Sequence, residues 1–167
     1  MADMRAALGS SCCALLLASG AVAQPSAPTI AQLFHICASS TVSEATARVR
    51  GALGWEPIPD SEVEEWRSGF TAYHQRDVTV SAWRHSAQEG ADRLAFWISA
   101  GPEGHTGCAY TSNRAGNLLD ELSAHLGEPR YLKRHELALT ADWKTAGRDI
   151  AFSQLDATAI IYVSRRN

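Results

Sequence analysis

The sequence predicts an α+β domain: an antiparallel sheet of five or six strands, three to four helices packed mainly on one face, and one disulfide. Three observations lead there. Apolar residues recur at helical spacing up to about residue 74 and again near residue 120, and alternate at strand spacing elsewhere. The strand-like segments form two runs joined by short turns, as hairpins are, rather than being separated by helical crossovers. Beyond the first 23 residues only two cysteines remain, Cys37 and Cys108.

The first segment reads as a leader. Arg5 supplies positive charge, a short apolar run follows through Cys13–Ala18, and Ala21-Val22-Ala23 gives the small-x-small pattern cut by a signal peptidase. The run is shorter than the ~20 apolar residues a membrane span requires. Gln24 occupies the position where a lipoprotein would carry cysteine. Residues 1–23 are therefore expected to be removed, placing the chain in the periplasm or outside the cell. Residues 24–29, with Pro25 and Pro28, read as a flexible tail, and residues 30–167 as a single domain. In an oxidising compartment Cys37 and Cys108 are expected to pair.

Within the domain, Ile30, Leu33, Phe34 and Cys37 form a short helical stripe. Thr41 with Glu44 is a capping box for a second helix, whose apolar face is Val42, Ala45, Val49, Ala52 and Leu53 and whose stop is Gly54. Pro57 and Pro59 forbid continuation. A third helix begins near Ser61, with Val63, Trp66 and Phe70 on one side and acidic residues where the helix dipole favours them. Val78–Trp83 and Leu94–Ser99 alternate as strands, and the Gly101–Gly104 turn folds the second back onto Thr106–Tyr110. Leu118, Leu119, Leu122 and Leu126 mark a fourth helix, closed by Gly127 and Pro129. Strands are then expected around 136–140, 150–155 and 158–164, the last two linked by Asp156-Ala157.

Fifteen basic against 18 acidic residues give a net charge of −3, which argues against a nucleic-acid partner. No second apolar run reaches spanning length, so no transmembrane segment is expected in the mature chain. No nucleophile elbow, phosphate-binding loop or dinucleotide fingerprint is present, and no cofactor is expected. Adjacent acidic pairs such as Glu64-Glu65 and Asp120-Glu121 point different ways on a helix and are poor acid/base partners. Arg130, Lys133, Arg134 and His135 form a basic cluster suited to a solvated surface or an acidic partner.

Two constellations remain. Trp83 and Trp97 come from neighbouring strands. If the Val78-Val80-Ala82 and Leu94-Phe96-Ile98 faces coincide, the two indoles share the other face, with Arg84 nearby, as a surface for a partner or flat ligand. His74, His85 and His105 are the candidate metal ligands, although no tight local pair supports them. The sequence thus predicts an exported, non-catalytic binding or interaction protein, an inhibitor-type protein being one version, with an envelope protein or small ligand as partner. The alternative is a small exported hydrolase or metal-dependent enzyme built on the three histidines.

Overall fold

A computed structural model describes residues 27–86, 90–145 and 147–166. The leader and most of the tail, residues 1–26, lie outside the described residues. Helix α1 (Ile30–Cys37) starts at Thr29, whose hydroxyl accepts from the backbone N–H of Gln32, while the Gln32 side chain accepts from that of Thr29. This reciprocal cap satisfies two donors that a helix start leaves open. Helix α2 (Val42–Leu53) is capped by Thr41, whose side chain accepts from the Glu44 N–H. The Glu44 carboxylate accepts from Ser40 at 2.7 Å, which holds its pKa below the usual carboxylate range. Gly54 ends the helix in the left-handed conformation, φ 63°, where a side chain would be strained.

Strand β1 (Glu56–Pro57) is followed by α3 (Asp60–His74), β2 (Val78–Arg84), β3 (Arg93–Ser99), β4 (His105–Ser112) and α4 (Leu118–Leu126). Four further strands follow: β5 (Tyr131–Arg134), β6 (Ala138–Thr145), β7 (Arg148–Leu155) and β8 (Thr158–Arg166). All pair antiparallel in one sheet of order β1-β2-β3-β4-β8-β7-β6-β5. Two four-stranded meanders thus meet where β4 pairs with β8.

The expected sheet of five or six strands is therefore corrected to eight. The two additions are its edges. β1 has only two residues, one a proline, and continues a turn. β5 is exposed at all four positions, so it carries no burial pattern to read. Both are held by pairing with a neighbour rather than by their own side chains. Of the four helices, α1, α2 and α4 pack on one face and α3 packs on the other.

The main core lies under α1, α2 and α4. Leu33, Ile36, Ala45, Val49 and Leu122 meet Leu94, Phe96, Tyr110, Ile150, Phe152 and Ile161 of the sheet. Cys37 and Cys108 form the expected disulfide, with Cα atoms 5.4 Å apart and 71 positions of chain between them. It fastens the end of α1 to the middle of β4. A smaller core on the opposite face joins Val63 of α3 and Ile58 to Val78, Val80, Ala82, Ala95 and Trp97, with Trp66 and Phe70 packed against it. Helix α3 covers only the β1–β3 edge of this face. Beyond it, apart from Gly107 beneath Trp97, the outward residues of β4, β8, β7 and β6 are partly or fully exposed.

Candidate functional site: an aromatic groove beside α3

Register decides where the predicted aromatic surface goes. Directly opposed residues of an antiparallel pair share a face. Trp83 opposes Leu94, whereas Val80 opposes Trp97 and Ala82 opposes Ala95. The two indoles therefore lie on opposite faces, both buried: Trp83 in the core beneath α2 and Trp97 beneath α3. The premise that the aliphatic faces of β2 and β3 coincide is corrected. β3 is buried on both sides, so its sequence has no polar face to reveal which way each residue points. Arg84 lies on the Trp97 side, where its guanidinium pairs with Glu62 of α3 at 3.2 Å.

What this face does offer is a groove of about 790 Å³ between α3 and the uncovered half of the sheet. Its helical wall is Trp66, Phe70 and Tyr73, with Gly69 between them; Trp97 and Tyr162 form much of the floor and far side, and His105 and Ser164 stand at one end. Positions 66, 70 and 73 align because a helix returns to the same face after three, four and seven residues. Phe70 stacks on Trp97 with ring centroids 4.7 Å apart, and Tyr162 meets the other edge of that indole at 6.3 Å, nearly perpendicular. A second depression shares Trp66, Phe70 and Tyr162 and carries the groove on toward Arg93 and Thr111. The groove thus follows α3 from Glu65 to Tyr73.

Two glycines give the groove its shape. Gly107 of β4 opposes Trp97, and a Cβ there would fall 2.2 Å from the indole. Only a missing side chain lets the ring lie flat across the strand. At Gly69 a Cβ would meet nothing within 4 Å. Its absence leaves a gap in the helical wall that no packing requires. Tyr73 and Tyr162 remain 82% and 41% exposed, large aromatic surface left unburied at the groove's mouth.

The histidines do not converge. The backbone of His85 bonds to Asp92 just before β3, and that of His105 to Ser99 at the far end of the same strand. A seven-residue strand separates them, roughly 20 Å. His74 closes α3, and its side chain lies outside what is described. Among the described residues no three histidine, cysteine or acidic side chains gather as a metal site.

A polar cavity of about 520 Å³ lies at the His85 end, below the start of α4. Among its lining residues is Asp92, which is 2% exposed. Tyr110 and Ser112 each donate a hydroxyl hydrogen bond of 2.8 Å to its carboxylate, and the exposed Arg114 guanidinium stands 3.8 Å away. The carboxylate is thus satisfied by the strand next to it, which makes it a clasp between the start of β3 and the end of β4. Burial, reinforced by the Asp92 carboxylate, pushes the Tyr110 phenol above its ordinary pKa. Folding therefore holds that proton more tightly than the unfolded chain does. The associated stability is intact below pH ~10 and falls as pH rises beyond it. Urea midpoints at rising pH are expected to drop more steeply for the wild type than for Tyr110→Phe; parallel curves would contradict this. Asp92→Ala, which strands two hydroxyls, is expected to cost about 2 kcal/mol in urea unfolding.

Nothing in the sequence reading placed Tyr73, Tyr162, Gly69 or Gly107 at a site. The available signal was the Trp66, Phe70, Tyr73 spacing on α3, an apolar stripe longer than the sheet strands beneath it need. No family model, no curated protein and no solved structure matches this chain. Among the described residues no helix is long and apolar enough to cross a membrane.

Proposed function

We propose that this is an exported, non-catalytic binding protein of the cell envelope, and that it holds its partner in the groove between α3 and the open sheet face. The observation that carries the reading is the groove itself. Its volume falls in the range of ligand sites, its lining is mostly aromatic, and its few polar groups stand at the margins. Tyrosine and tryptophan supply large contact area with few rotatable bonds, and a polar tip where one end meets water. The buried Cys37–Cys108 bridge supports an oxidising destination.

The test is to place a photo-crosslinking phenylalanine analogue at Tyr73, with a control at Leu132, exposed and on the opposite face of the sheet, and to expose both proteins to envelope extract. Specific adducts are expected at position 73 and not at 132. They are expected to disappear in a Gly69→Leu background, which adds a side chain to the groove lining at a position where a Cβ meets nothing within 4 Å. Adducts unchanged by Gly69→Leu, or equal at the two sites, would remove the groove from the account.

A further inference from the structure

We infer that the polar cavity below the start of α4 is a second binding site, independent of the groove, and that it holds the zwitterionic head of a free α-amino acid. Three features point to it. The first is an unmatched buried charge. The Asp92 carboxylate is 2% exposed and lines a cavity of about 520 Å³. Its two hydrogen bonds come from the hydroxyls of Tyr110 and Ser112, which hold it in place without neutralising it. A carboxylate has acceptor sites for about four. Buried charges are ordinarily paired with an opposite charge inside the protein. Among the described residues the one cation within 4 Å is Arg114, at 3.8 Å, longer than a hydrogen bond and on a side chain that is 74% exposed.

The second is the mixture of signs. Glu121 lines the same cavity as Asp92 and Arg114. The two carboxylates oppose a simple anion, and the guanidinium opposes a simple cation. A ligand that carries one charge of each sign meets favourable groups at both ends. Its ammonium supplies the counter-charge that Asp92 lacks, with Glu121 as a further acceptor. Its carboxylate takes the donors that Arg114 presents in a planar fork.

The third is spacing. In an α-amino acid the ammonium nitrogen and the nearer carboxylate oxygen lie about 3 Å apart, because one carbon separates the two groups. Charge-assisted hydrogen bonds are about 2.8 Å long. Laid head to tail along the 3.8 Å gap between Asp92 Oδ2 and Arg114 Nη2, such a ligand closes a four-cornered ring with both contacts made at once. An ω-amino acid, with its charges several carbons apart, reaches both groups only by folding back on itself. The rest of the cavity leaves room for a side chain against Ala115 and Leu118.

The experiment is isothermal titration calorimetry of the full chain with each common L-amino acid in turn. At least one is expected to bind saturably. Its N-acetyl and carboxamide derivatives, each lacking one charge, and γ-aminobutyrate are expected to bind at least about tenfold more weakly, as loss of one charged hydrogen bond does. Arg114→Ala, at an exposed position, is expected to weaken the amino acid about tenfold and to leave its carboxamide unchanged, with circular dichroism reporting that the variant remains folded. Gly69→Leu is expected to leave amino-acid binding unchanged. Binding of no amino acid would overturn the proposal. So would equal affinity for either derivative or for γ-aminobutyrate, or affinity undiminished in Arg114→Ala. Loss of amino-acid binding in Gly69→Leu would overturn it by placing the ligand beside α3.

Discussion

Replacing Cys37 and Cys108 together with alanine is expected to lower the unfolding free energy by about 4 kcal/mol, the loop-closure term for a bridge of this span. The bridge encloses 71 positions and joins α1 to β4 across the main core. Without it the unfolded chain regains the freedom that the link denies, and α1 is held only by its apolar stripe and by contacts with α2 and α4. Eight residues of helix have little independent stability. Urea unfolding of the double variant against the oxidised wild type measures the loss. A fall of under about 1 kcal/mol would mean that the bridge decorates a fold already closed by packing.

Gly107→Ala is expected to cost about 3 kcal/mol, near the upper end for overpacking a core. The added methyl meets the Trp97 indole at 2.2 Å, on a residue that is itself 5% exposed and stacked from the other side by Phe70. The indole cannot slide away without lifting α3. The same substitution at Gly69 should act in the opposite direction. There the methyl meets open space, and alanine in a helix interior is favoured by up to ~1 kcal/mol. The pair of variants measured by chemical denaturation therefore gives a sign as well as a size. Stabilisation by Gly107→Ala would contradict the close approach of Trp97 to β4.

Much of the fold was legible because most elements carry their own local signature. Thr41 and Gly54 bracket α2 where the sequence placed its ends, and the Leu118 to Leu126 stripe is α4. Asp156-Ala157 forms the turn of the last hairpin, with Asp156 at φ 52°. Cys37 and Cys108 are paired. The failures share a cause. Edge strands such as β5 and β1 are specified by what lies beside them, and Tyr131–Arg134 reads as a basic loop until β6 is set against it. The relation between Trp83 and Trp97 depends on register, a non-local property that no single strand encodes when both its faces are buried. The groove was invisible for the same reason. It exists only because α3 crosses to the face opposite the other helices, and Pro57 and Pro59 announce a break without saying where the chain goes next.

The position of β8 bears on how the molecule is made. It follows every other element in the chain, yet it lies at the centre of the sheet, bridging β4 and β7. While a ribosome extends the polypeptide, the first meander and the second therefore stay apart, the inner borders at β4 and β7 unpaired, until Thr158–Arg166 has emerged. A nascent chain so arranged cannot finish its sheet early. That delay carries the risk that the borders awaiting β8 find partners in neighbouring chains first.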